Sequence, residues 1–252
     1  MERELRASGY ALVAGADEAG RGSLFGPVFA AAVILSPERS IRGLRDSKEL
    51  SAGRREELAA EIRERARAWA VASIDAFLID RINIYRASCL AMARAIERLE
   101  PAPDYLLLDA VRLDLPLPQR RVVHGDARCQ AIAAASILAK TERDACMSQW
   151  DAVYPQYGLG RHKGYATPEH AGALAAYGPT LHHRFSFEPV HAACSASLRA
   201  VLALRERFHF CWEPPAGLEA EASAAGAGVA SGPARHAFRA WPGRCPEARA
   251  WQ

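Results

Sequence analysis

The sequence predicts a mixed α/β sheet flanked by helices, and three observations carry that prediction. Short apolar runs of strand length open the chain. They then alternate with amphipathic or alanine-rich stretches at helical spacing, and 50% hydrophobic residues over 252 positions suffice for one sizeable core. A folded domain over 1–210, ending in a helical segment, is expected to precede a low-complexity, disordered tail over 211–252. In the stretch 214–252, 22 of 39 residues are Ala, Gly or Pro, and no apolar periodicity survives there to build a core.

Residues 10–16 (YALVAGA) read as a buried strand ending at the acidic pair Asp17-Glu18. The loop that follows carries Gly20, Gly22 and Gly26, and 28–35 (VFAAAVIL) is a second, strongly apolar strand. A tight loop between two such runs predicts antiparallel neighbours. Ser51 is placed to cap a helix in which Leu58, Ile62, Ala66 and Trp69 recur at helical spacing among Glu and Arg. Residues 70–77 read as a strand, and 84–99 as a helix that stops before Pro101-Ala102-Pro103. A short buried strand over 105–108 has Asp109 at its C-terminal end, and 121–123 is another short strand. The stretch 129–154 contains AIAAASILAK, a long helix whose small residues predict close packing against the sheet. Thr167-Pro168-Glu169 opens a further helix with a cap, a proline at the first position and an acid in the first turn.

A net charge of +3 is compatible with a polyanionic partner without arguing for one, so local clustering must decide. The six cysteines lie far apart, which excludes a zinc site or a secreted disulfide framework and predicts reduced thiols in a cytoplasmic protein. The apolar run 28–35 is too short to span a bilayer, and the charged start Met1-Glu2-Arg3-Glu4-Leu5-Arg6 is no secretory segment. A soluble monomer without membrane contact is expected.

Four carboxylates stand out by position. Asp17 and Glu18 end the first strand, Asp109 ends a later one, and Asp126 sits in a Gly125-Asp126-Ala127 turn. Strand C-termini are where ligands collect in α/β sheets. Carboxylates converging there would repel by about 4 kcal/mol per pair at about 4 Å and an effective dielectric near 20, so a cation must offset them. Oxygen ligands without nearby His or Cys suit Mg²⁺ or Mn²⁺, and two such ions roughly 3.5–4 Å apart serve phosphodiester hydrolysis. Taken alone, an Asp at a strand end is more often a turn or cap residue.

Basic residues gather in the second half of the chain. Arg161-His162-Lys163 and His182-His183-Arg184 form either a solvated basic surface or a phosphate-contacting one. Tyr165 could stack on a sugar or base, or pack as core. Gly20-Arg21-Gly22 sets a guanidinium between two residues without Cβ, where backbone can approach a sugar or phosphate, although such a tripeptide is usually a turn. Lys48 is a phosphate ligand or a solvated surface lysine.

Taken together, Asp17-Glu18-Ala19-Gly20-Arg21-Gly22, Gly26-Pro27-Val28 and Ala30-Ala31-Ala32-Val33 resemble the opening signature of ribonuclease HII. Asp46-Ser47-Lys48, Asp109 after its strand, Gly125-Asp126-Ala127, the run Ile132 to Lys140, Arg143-Asp144, Tyr154-Pro155, His162-Lys163-Gly164-Tyr165 and His183-Arg184-Phe185-Ser186-Phe187 follow in order. The resemblance covers roughly 8–195. It implies a ribonuclease H-like fold and cleavage 5′ of a ribonucleotide, in RNA–DNA hybrids and in duplex DNA with single embedded ribonucleotides, leaving 3′-hydroxyl and 5′-phosphate ends. It implies Asp17, Glu18, Asp109 and Asp126 as catalytic ligands of two Mn²⁺ or Mg²⁺ ions, with Asp17 bridging them. Substrate contacts would fall on Gly20, Arg21, Gly22, Lys48, Lys163, Tyr165 and Arg184. The Gly-Arg-Gly stretch would read the 2′-hydroxyl and Tyr165 the RNA–DNA junction. One departure stands out: the family commonly has Gly after the third acid, where this chain has Ala110. Asp144 is a fifth acid, whose helical register predicts a structural salt bridge instead. The sister type of bacterial ribonuclease H carries an extra N-terminal domain, which the position of Asp17 does not accommodate. Two rivals remain, a transposase- or resolvase-like DNA nuclease and a non-catalytic nucleic-acid-binding module. A sliding clamp is a conceivable partner for which the sequence offers no support.

Overall fold

The two apolar runs near the start of the chain pair as their spacing predicts. In the computed structural model, which describes residues 1–45 and 47–199, helix α1 (Glu2–Ala7) leads into β1 (Val13–Ala19), antiparallel to β2 (Val28–Ile34). Then follow α2 (Ala52–Arg65), β3 (Ala68–Ile74), α3 (Ala76–Ile82), α4 (Ile84–Glu97), β4 (Tyr105–Asp109), β5 (Gln119–Val122), α5 (Gly125–Arg128) and α6 (Gln130–Val153). Helices α7 (Leu159–His162), α8 (Pro168–Tyr177) and α9 (Glu188–Ala192) form the helical segment. The sheet runs β3-β2-β1-β4-β5, with β4 parallel to both β1 and β5 and β2 antiparallel to both of its neighbours. It is the mixed α/β sheet the sequence predicts. The expected tail over 211–252, with Cys211 and Cys245, lies outside the described residues, as does Asp46.

Alternation along the strands divides the core. Ala14, Ala16, Ile34, Ala72, Leu106 and Leu108 face Ala87, Ala91, Met92 and Ala95 of α4. Val13, Ala31, Val33 and Leu107 face Leu58 and Ile62 of α2 and the alanine-rich stretch of α6. A Cβ on Gly15 would lie 2.3 Å from the Ala131 carbonyl carbon and 2.4 Å from the Ile132 amide. Helix α6 therefore rests backbone to backbone on β1, the close approach its small residues predict. A third cluster gathers Phe25, Met147, Tyr157, Leu174, Phe185 and Val190 beneath the helical segment.

Several boundaries differ from expectation, and three of the differences bear on the argument. Helix α2 stops at Arg65, because 68–74 also fits a strand pattern: Ala68, Ala70, Ala72 and Ile74 point inward and Trp69 outward. Trp69 is a strand residue whose indole donates to the Arg63 carbonyl at 3.2 Å. Phe77 belongs to α3, because Asp75 turns the chain by accepting from the Leu78 amide at 2.7 Å. Asp17 and Glu18 lie inside β1, since its pairing with β2 continues to Ala19 opposite Phe29.

Candidate active site

The register Ala16↔Leu108 brings Asp17 and Asp109, one step further on, side by side at the C-terminal ends of β1 and β4. Alternation puts Asp17 on the α6 face with Asp109, while Glu18 emerges on the α4 side. There Arg21 Nη1 donates to Glu18 Oε1 at 3.0 Å. Asp109 Oδ1 accepts from the Gly125 amide at 2.7 Å. A Cβ on Gly125 would come within 3.1 Å of that same oxygen and 2.6 Å of Ile132 Cδ1, so glycine is what allows this approach. Asp126 follows on α5, accepting from the Ala127 amide at 3.0 Å, with Lys48 Nζ 3.7 Å from its Oδ2. Ser47, next to Lys48, is tied to Ser136 of α6 by a 2.9 Å hydroxyl pair.

Burial, and then the charges of Glu18 and Asp109, hold the Asp17 carboxyl well above the usual carboxylate range, with Ser136 partly offsetting them. Burial also raises Glu18, against the opposing pull of Arg21. Glu18 Oε2 is buried with no hydrogen-bond partner. Among the described residues, no three His, Cys, Asp or Glu side chains stand close enough together to hold one metal ion. Arg21 lies against Glu18 and Lys48 near Asp126, so a cation beside Asp17 and Asp109 would compete with both basic groups. The donor chemistry nevertheless fits a hard divalent cation: oxygen ligands only, desolvated, crowded, and with one oxygen unpartnered.

The departure after the third acid also finds its geometry. Ala110 sits at φ +50°, and its amide donates to the Val122 carbonyl at 3.0 Å. An L-residue there costs roughly 1 kcal/mol more than glycine.

Beyond Glu18 the chain turns through Gly20, at φ +92°, where a Cβ would lie 1.9 Å from Arg143 Nε. Both facts demand glycine. The loop is then tied to the stretch after α7: the Leu24 amide donates to the Gly164 carbonyl at 2.8 Å and Ser23 pairs with Tyr165. This places Tyr165, 36% exposed, about 4 Å from where a Gly22 side chain would begin. The structure thus brings Gly20, Arg21, Gly22 and Tyr165 to the edge of the carboxylate cluster, with Lys48 across it. Lys163 donates to Ser148 at 3.2 Å and joins a groove with Arg55 and Thr141 between α2 and α6. Asp144 makes its predicted structural bridges, to Lys140 at 2.6 Å and Arg55 at 3.4 Å.

Arg184 is a correction. It is 0% exposed and donates to the Gly26 and Arg21 carbonyls, each at 2.9 Å, so it supports the turn from inside and presents no surface to a phosphate. His183 and His170 are buried too. The basic run is drawn inward because Phe25 bridges His183 and the Arg184 amide donates to the Leu24 carbonyl. The histidine tautomers follow from their partners. The Thr180 amide donates to His183 Nδ1 at 2.9 Å, so His183 donates through Nε2 to His170 Nε2 at 3.1 Å. His170 Nδ1 then donates to the Tyr165 carbonyl at 3.0 Å. Burial keeps both neutral, lowering His170 and pushing His183 down to about 3.

Two elements escaped sequence reasoning, this histidine relay and Arg143. The signal for Arg143 was present: it continues the buried stripe Ile132, Ser136 and Ala139 of α6, where a charge is out of place.

A family profile described as Ribonuclease HII matches residues 14–190. A ribonuclease HII from Solibacter usitatus is 64% identical over 192 residues, covering 76% of this chain and 84% of that one. The crystal structure of ribonuclease H2 from Pyrococcus horikoshii matches the fold with TM-score 0.64 at 24% identity, over 73% of this chain and 97% of that one. A chain in the PCNA:RNase HII complex from Archaeoglobus fulgidus matches with TM-score 0.62 at 29% identity, over 75% of this chain and all of that one.

Proposed function

The chain belongs to the ribonuclease HII family and is an enzyme of the ribonuclease H class; from that premise we propose that it cuts the RNA strand of RNA–DNA hybrids and also cleaves 5′ of single ribonucleotides embedded in duplex DNA. One observation carries the reading: a crowded carboxylate cluster at a strand edge adjoins a glycine-flanked arginine turn and a half-exposed tyrosine.

Asp17, Glu18, Asp109 and Asp126 would hold two divalent ions, Mg²⁺ or Mn²⁺. Such ions supply Lewis-acid activation of water and stabilisation of the leaving oxygen, giving 5′-phosphate and 3′-hydroxyl ends. The chain contributes the rest. The Gly125 amide fixes Asp109, and bound cations would favour the ionised forms of Asp17 and Glu18 that burial disfavours. Arg21, freed from Glu18, turns to the sugar–phosphate beside the 2′-hydroxyl, while Tyr165 stacks on the junction sugar. Lys48 and Lys163 lie on the flanks, where backbone phosphates pass. The kinship with an archaeal chain solved together with PCNA makes a sliding clamp a partner to test. Among the described residues, no helix is long and apolar enough to cross a membrane.

The test incubates the protein with a DNA duplex holding one ribonucleotide, a long RNA–DNA hybrid and an all-DNA duplex, with Mg²⁺, Mn²⁺ or chelator. The expected result is metal-dependent cleavage 5′ of the ribonucleotide and throughout the hybrid, with the all-DNA duplex intact. Comparable cutting of the all-DNA duplex, or no cutting with either ion, overturns the proposal.

A further inference from the structure

Arg143 is 0% exposed, yet none of the ion pairs among the described residues involves it. Its sequence neighbour Asp144 is engaged by Lys140 and Arg55 instead. Among the described residues the guanidinium makes a single hydrogen bond, from Nη2 to the Lys163 carbonyl at 2.8 Å, and its Nε and Nη1 are buried without partners there. Burial holds it below the ordinary guanidinium range. A buried cation left so poorly compensated is a cost to folding, and an apolar side chain of similar length would pack there at lower cost. Its surroundings supply a reason to keep it. One edge lies where a Gly20 side chain would be, 1.9 Å from the would-be Cβ. Its Cζ lies over the Tyr165 ring, 5.2 Å from the centroid. Its one hydrogen bond holds the carbonyl two residues before that tyrosine. A planar, delocalised group can fill a slot between a backbone turn and a ring while bonding a third element, which neither an ammonium nor a thioether can do.

Resting on the reading of Gly20–Gly22 and Tyr165 given above, we propose that Arg143 is a positioning residue: it clamps the Gly20-Arg21-Gly22 turn and Tyr165 to one another, so that a lone ribonucleotide junction meets both at a fixed spacing. Arg184 braces the same turn through the Arg21 carbonyl. An isolated ribonucleotide offers one junction, so a loosened spacing is felt there first. A continuous hybrid offers many registers and tolerates it.

The test compares Arg143→Lys, Arg143→Met, Tyr165→Ala and the double variant Arg143→Met/Tyr165→Ala. It reads kcat and KM on a duplex with one embedded ribonucleotide and on a long hybrid, together with melting temperature. Arg143→Met should raise KM on the embedded ribonucleotide about tenfold with kcat within about threefold, and should change the hybrid less; in the Tyr165→Ala background the same substitution should add no more than about twofold, since residues acting through one contact are not additive. Arg143→Lys keeps the charge and loses the plane, and should fall between wild type and Arg143→Met. If Arg143→Met does not fold, Arg143→Lys in both backgrounds carries the same comparison. Equal losses on both substrates that track melting temperature overturn the proposal, as does full additivity with a selective Tyr165→Ala. If Tyr165→Ala alone leaves the preference between substrates unchanged, the reading of Tyr165 falls first and takes this one with it.

Discussion

At the end of β1 the chain buries anions, and under the turn that follows it buries cations. Asp17 and Glu18 lie at the end of β1, both raised by burial and held beside Asp109. Arg143 and Arg184 lie under the turn that follows, both lowered by burial, and Arg184 is lowered further by the charge of Arg143. The two regions treat their strain differently. The carboxylates face exposed cationic side chains, Arg21 at 42% side-chain exposure and Lys48 at 78%. The guanidiniums are held by backbone carbonyls, Arg143 by that of Lys163 and Arg184 by those of Gly26 and Arg21. On the proposed reading, chemistry belongs with the acidic region and recognition with the basic one.

The largest effect that can break this division is on the acid side. Asp109→Asn keeps the side chain's size and its bond to the Gly125 amide but removes one charge. Cleavage should fall by about 100-fold or more on both substrates alike, because ion binding is lost whichever nucleic acid is present. The metal-free melting temperature should stay level or rise as repulsion on Asp17 is relieved. Activity within threefold of wild type, or a marked fall in melting temperature, would count against this assignment.

A smaller effect separates the regions by pH. His183 is held at about 3 against an ordinary 6.5, and His170 is lowered too, so the folded protein keeps them neutral where the unfolded chain takes up protons. Their contribution to stability is fully present above about 6.5 and is lost as pH falls toward 3. Asp17 and Glu18 have the opposite sign: their folded values are raised, so stability is present at low pH and lost as pH rises through those values. Because the carboxylates are common to both proteins, the change in melting temperature of metal-free protein from about pH 7 to pH 5 should be more unfavourable in wild type than in His183→Gln. An identical change in the variant would show that the relay does not sense pH in this way.

The two regions also differed in how much of them the sequence disclosed. Asp17, Glu18 and Asp109 were legible because an acid that ends a run of strand-like apolar residues breaks a pattern, and Asp126 because Gly125 and Ala127 frame it in a recognisable turn. Parts of the recognition side were hidden. Arg184 and His183 look, along the chain, like any solvated basic run. They are interior only because isolated bridges tie them to the 23–26 loop, far away in sequence. Arg143 hid in a helix whose alanines satisfy a buried face and whose neighbouring charges satisfy an exposed one. In the sheet, Trp69 fitted both the end of a helical stripe and the outer face of a strand, and only pairing with Val33 of β2 decides between them.

The measurement that bears most directly on the division of labour is the ratio of kcat/KM on a duplex with one embedded ribonucleotide to that on a long RNA–DNA hybrid, taken for wild type and for Tyr165→Ala. Tyr165 stands at the boundary, half exposed, its carbonyl held by His170 and its ring under Arg143. A stacking contact worth about 1–3 kcal/mol corresponds to roughly a fivefold or greater loss on the embedded ribonucleotide. The hybrid should lose less, and the melting temperature should stay close to that of wild type. An unchanged ratio, with both activities and the melting temperature falling together, would make Tyr165 a core residue and contradict the account.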